Sequence, residues 1–123
     1  MPNSYVKFEV YLPARYREKG EKKWTHTSAN EMLALAKDLT KKLNGCTYSN
    51  PIDGPPFQGM WKKSKTEFEV DEIYLFFVLV EETPQKLKRA FSYFEKWKKR
   101  IEKKFCQDIV VVTWHRICVM GEL

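Results

Sequence analysis

The segment Glu67 to Val80 carries apolar residues on both alternating sets of its second half: Ile73, Leu75, Phe77 and Leu79 on one, Tyr74, Phe76, Val78 and Val80 on the other. Successive side chains of a strand point to opposite faces, so a strand of this kind needs cover on both sides of its sheet. Phe57 to Lys63 precedes it as a shorter strand with Ser64 to Thr66 as the turn, and the two form a hairpin.

The remaining elements follow from periodicity and punctuation. Tyr5 to Leu12 alternates strictly, with Val6, Phe8, Val10 and Leu12 on one side, which predicts a half-buried strand stopped by Pro13. The charged stretch Ala14 to Trp24 reads as a surface loop with a turn at Gly20. Ser28 and Glu31 make a capping box, and Met32, Leu35, Ala36, Leu39 and Leu43 recur at helical spacing until Asn44-Gly45. Cys46 to Pro56, with three prolines and Gly54, reads as a long irregular connection. Thr83-Pro84 opens a second helix whose stripe is Leu87, Ala90, Phe91, Phe94, Ile101 and Phe105, and Ile109 to Met120 is the last strand.

The order β-α-β-β-α-β predicts an α+β, ferredoxin-like sandwich: a four-stranded antiparallel sheet with two helices on one face. Such a fold leaves one sheet face without helices, whereas the third and last strands are apolar on both. Self-association through that face is the expectation. A length of 123 residues fits one domain over 1–123, and an aromatic fraction of 15% excludes disorder.

The N-terminus has no signal-peptide pattern and no segment approaches 18 apolar residues, so neither export nor a membrane partner is expected. Cys46, Cys106 and Cys118 are odd in number and lack C-x-x-C spacing, which suits a reducing cytoplasm. His26 and His115 have no ligand-spaced companions, so no metal is expected. The net charge is +6, and Pro84 to Phe105 holds nine Lys/Arg against Glu95 and Glu102. A solvated helix face explains that excess better than a nucleic-acid site.

Three short motifs carry the functional expectation: Gly59-Met60-Trp61, then Asp71-Glu72 about eleven residues after the tryptophan, then Gln107-Asp108 stepping into Ile109-Val110-Val111-Val112. Over the whole element order they make the chain resemble the S-adenosylmethionine (SAM) lyase superfamily, both the phage enzymes and the SAM-AMP lyases of type III CRISPR antiviral defence. The resemblance implies cleavage of a carbon–sulfur bond of SAM or of its AMP conjugate, a CRISPR second messenger. Methylthioadenosine, free or still joined to AMP, and homoserine lactone would be released. The substrate's own carboxylate is the nucleophile, no cofactor is needed, and the assembly is a homotrimer.

Carried over by the same resemblance, Glu72 is the catalytic carboxylate beside the substrate ammonium and Asp71 a substrate contact. Trp61 stands where the phage enzymes have tyrosine, so it offers an indole face to the sulfonium rather than a phenol. Gln107 bonds the substrate carboxylate or an adenine edge. Gly59 and Leu12 line the site, and Arg15 and Tyr16, with Arg17, meet phosphate oxygens. The alternative is an RNA- or nucleotide-binding ferredoxin-like module without catalysis. Tyr74 and Phe76 suit an RNA-recognition motif, but the glycine pattern that precedes such aromatics is missing.

Overall fold

The computed structural model describes residues 3–17, 20–49, 57–62, 64–105 and 110–121. Strand β1 (Asn3–Pro13) pairs antiparallel with β6 (Phe68–Glu81) on one side and with β7 (Val111–Val119) on the other. β5 (Phe57–Lys62) forms the expected hairpin with β6. Two helices, α1 (Ala29–Leu43) and α2 (Pro84–Lys104), complete an α+β chain on a five-stranded antiparallel sheet. The long strands lie in the order β5-β6-β1-β7, consistent with a ferredoxin-like sandwich.

The fifth strand is β4 (Thr47–Tyr48), inside the segment expected to be irregular. Past Ile73 the strand β5 has ended, and the backbone groups of β6 on that edge need partners. Thr47 and Tyr48 supply them opposite Phe77 and Phe76, and Ser49 continues the ladder. Its N–H donates to the Leu75 carbonyl at 3.0 Å and its Oγ accepts from the Leu75 N–H at 3.0 Å. The expected loop after β1 likewise contains a small ribbon, β2 (Arg15–Tyr16) with β3 (Thr25–His26). Gly20, between them, takes φ +89°, a conformation in which a Cβ would be strained.

Burial follows residue parity. Val6, Phe8, Val10 and Leu12 of β1 and Tyr74, Phe76, Val78 and Val80 of β6 are all buried, in one cluster with Met32, Leu35, Ala36 and Leu39 of α1 and Ala90, Phe94, Trp97 and Ile101 of α2. Both helices therefore cover the same sheet face. Phe8 stacks on Phe94 at 4.7 Å between centroids, and Trp97 meets Phe76 edge-on at 6.3 Å. Helix α1 begins with the reciprocal Ser28–Glu31 box and ends at Asn44 in the left-handed conformation (φ 68°). In α2 the buried stripe runs through Trp97, which the sequence reading omitted, while Phe91 sits at the margin against Trp114.

The opposite face is left open in a single chain. Ile73, Leu75, Phe77 and Leu79, with Tyr5, Lys7, Glu9 and Tyr11 beside them, are only half-buried, and none belongs to the helix-covered core. Tyr74, Phe76, Val78 and Val80 are the set beneath the helices, so they need no second copy to leave water. Polar groups partly occupy the open face. Lys7 pairs with Glu9 at 3.1 Å and lies over the Phe77 ring at 4.5 Å, and the Tyr11 hydroxyl donates to Glu9 at 2.8 Å.

Two outcomes follow from this asymmetry. Phe8→Ala should cost about 3–5 kcal/mol in urea unfolding, the range for a large buried aromatic. Leu75→Ala should cost clearly less, because its side chain already meets water. The Tyr11 hydrogen bond, and next to it Lys7, hold the Glu9 carboxyl below the usual carboxylate range, while the same bond raises the Tyr11 hydroxyl. A carboxylate depressed in the folded state contributes stability at neutral pH that is lost as pH falls through its folded pKa; the raised phenol contributes stability that is lost as pH climbs through its own. In Tyr11→Phe the urea midpoint should therefore fall less between about pH 6 and about pH 3 than in the native chain.

Candidate functional site

β6 extends beyond the helices. Tyr74 is 5% exposed under them, yet two and four residues earlier Glu72 is exposed and Val70 is 47% exposed. The β5 partners of these residues are Gln58 opposite Glu72 and Met60 opposite Val70, and Met60 is 68% exposed. The hairpin thus projects as an arm whose apolar strip, Met60, Val70 and Phe68, continues the core face after the helices stop. Glu72 stands at the inner corner of that step.

The corner is fixed by backbone. Glu72 accepts from the Ala14 N–H at 2.9 Å, and Ala14 in turn accepts from the Thr27 N–H at 2.8 Å. Thr27, itself buried, donates its hydroxyl to the Pro13 carbonyl at 2.9 Å. These bonds tie the β2–β3 ribbon to the strand position of Glu72. Among the described residues the Glu72 carboxylate makes no hydrogen bond or ion pair. Burial first, and then the charge of Glu72, raise the pKa of the Tyr74 hydroxyl, which lies on the same side of the strand.

On the ribbon, Arg15 and Arg17 both stack on Trp24, with guanidinium carbons 4.5 and 4.3 Å from the ring centroid. One indole therefore contacts two planar cations, each able to donate to an oxyanion with several acceptors. Tyr16 points the other way: its ring meets Phe105 edge-on at 4.9 Å and its hydroxyl reaches Glu31 at 3.4 Å. It anchors the ribbon to the helices rather than presenting itself to a ligand.

The remaining predicted site residues separate. Leu12 is fully buried in the core, so its contribution is packing rather than substrate contact. Gly59 pairs with Asp71, and position 61 with position 69; the pairs of Gln58 with Glu72 alternate with these. Register positions 59, 61 and 71 thus share one face of the arm, and Glu72 lies on the other. The side chains of Trp61 and Asp71, and all of Gln107, lie outside the described residues. Tyr74 and Phe76, the aromatics that an RNA-recognition reading requires on the open face, are under the helices instead.

Gln58 and Trp24 carry no role in the sequence-based expectation, and Tyr74 enters it only as an RNA-recognition aromatic. Gln58 was legible, because the hairpin pairs are symmetric about residue 65, the centre of the predicted turn. Trp24 had only the signal of a lone aromatic ending a charged stretch. Of the cysteines, Cys46 has its thiol pushed up to about 11 by burial, which keeps it protonated at neutral pH. Among the described residues no group of three His, Cys, Asp or Glu is arranged to hold a metal ion, and no helix is long and apolar enough to cross a membrane.

Compared with known proteins, the chain matches no family model, no curated protein and no solved structure.

Proposed function

We propose that the chain is a cofactor-independent lyase that cleaves a carbon–sulfur bond of S-adenosylmethionine or of its AMP conjugate. The observation that carries this reading is the step at Glu72: an exposed carboxylate, unpaired among the described residues, at the inner end of an apolar strip and tied through Ala14 to a ribbon that presents two arginines on one tryptophan. The spacing of Gly59, Trp61, Asp71 and Glu72 that suggested the reaction falls on this one hairpin.

The chemistry asks little of the protein. A sulfonium is already a good leaving group, and the attacking carboxylate belongs to the substrate, so catalysis consists of holding a near-attack conformer and excluding water while opposite charges cancel. Glu72 orients the substrate ammonium and exchanges a proton with it. The Arg15–Trp24–Arg17 stack is suited to the phosphate of an AMP conjugate, which favours that substrate over plain S-adenosylmethionine. If the product is the conjugate of methylthioadenosine with AMP, the role is removal of a CRISPR second messenger.

Water exclusion requires a cover for the exposed strip, and a second copy of the chain supplies one in a homotrimer. Register also separates Trp61 from Glu72 across the arm, so an indole face for the sulfonium reaches a given Glu72 from a neighbouring copy.

Glu72→Gln keeps the volume and removes the charge. Its single-turnover rate should fall about 100-fold or more, with an unchanged melting temperature; full activity would remove Glu72 from the chemistry. Light scattering should give the mass of a trimer. Glu72→Gln and Trp61→Ala chains, each inactive alone, should regain activity when unfolded and refolded together. No regain, with mixed trimers formed, would put both residues in one chain's site.

A further inference from the structure

Helices α1 and α2 enclose a groove of about 470 Å³, lined by Asp38 and Lys42 from α1 and by Arg89, Lys96, Trp97 and Arg100, among others, from α2. Four cations thus face one carboxylate, and that carboxylate is already engaged. Asp38 accepts from the Tyr93 hydroxyl at 2.7 Å and from Arg100 at 3.0 Å. Lys42, Arg89 and Lys96 form no ion pair among the described residues.

Trp97, one of the residues lining the groove, carries an unmet donor. Trp97 is fully buried, and its Nε1 is the one buried side-chain polar atom without a hydrogen-bond partner among the described residues. An indole N–H can only donate, and leaving it unsatisfied away from water is costly. A groove whose lining combines Trp97 with Lys42, Arg89 and Lys96, none of them in an ion pair among the described residues, is matched to an acceptor that is multiply anionic and rich in oxygens.

We propose that this groove is a second ligand site, independent of the arm and of the lyase reading, that takes a phosphate-bearing molecule of nucleotide size. Lys42, Arg89 and Lys96 neutralise the phosphate, and the Trp97 N–H donates to one of its oxygens. The volume exceeds what inorganic phosphate fills and lies within the range of small-molecule sites. Nε1 is closed to water, so its donation to a ligand requires the groove walls to part. Arg100 bridges α2 to Asp38 of α1 with 62% of its side chain exposed, so it is the tie that such parting would break.

The test is a titration of ¹⁵N-labelled protein followed at the tryptophan indole N–H resonances, with Trp97 assigned by elimination using Trp24→Phe, Trp61→Phe and Trp114→Phe. The probes are inorganic pyrophosphate, AMP and a single-stranded RNA oligonucleotide, with sodium chloride at matched ionic strength as control. AMP and pyrophosphate should shift the Trp97 resonance downfield and saturably. The exposed-site double variant Arg89→Gln/Lys96→Gln should weaken that response roughly tenfold or more. A Trp97 signal unmoved by either small probe, moved equally by chloride, moved equally in the double variant, or moved by RNA alone would each overturn the assignment.

Discussion

Everything in this chain depends on the pairing of β1 with β6 and on the side from which that pair is covered. Val6, Phe8, Val10 and Leu12 face the same way as Tyr74, Phe76, Val78 and Val80, and a one-residue slip of either strand would turn its whole set toward water. The helices pack on that single face, Phe94 and Trp97 filling the space over Phe8 and Phe76. Because β6 is longer than the layer above it, the same register that builds the core also leaves a step, with Tyr74 under cover and Glu72 out of it. The candidate site is thus a consequence of strand length rather than a separate construction.

Much of this was legible because local signals agreed with one another. The Ser28–Glu31 box, Asn44 in the left-handed conformation and Pro84 at the start of α2 are short-range effects that tertiary packing does not override. The two strands of the hairpin followed from its turn. What the sequence hid was which apolar set of β6 the helices would take, since alternation distinguishes two faces without saying which is covered. Ile73, Leu75, Phe77 and Leu79 are apolar yet open, and β1 offsets this with Lys7, Glu9 and Tyr11 beside them. β4 and the β2–β3 ribbon were hidden for a different reason: two-residue strands form because a neighbouring edge needs partners, not because of their own composition.

The site was legible only in part. The spacing from Trp61 to Glu72 is real hairpin geometry, but it sets the two residues on opposite faces of the arm, which pattern alone could not foretell. Leu12 entered the site only through the resemblance, and its burial shows that the core reaches that far along β1. Arg15 lies over Trp24, and that contact depends on a ribbon that no local signal announced. The basic character of α2 divides along one helix: lysines at its solvated face, and Arg89, Lys96 and Arg100 lining one groove with Lys42 and Trp97.

The central claim concerns the bond that the step at Glu72 would break, and the most direct measurement is chromatography with mass detection of S-adenosylmethionine and of its AMP conjugate after incubation with the purified protein. The account predicts methylthioadenosine, joined to AMP when the conjugate is supplied, together with homoserine lactone, in the absence of any added metal or cofactor. Both substrates recovered intact from folded, trimeric protein would contradict it.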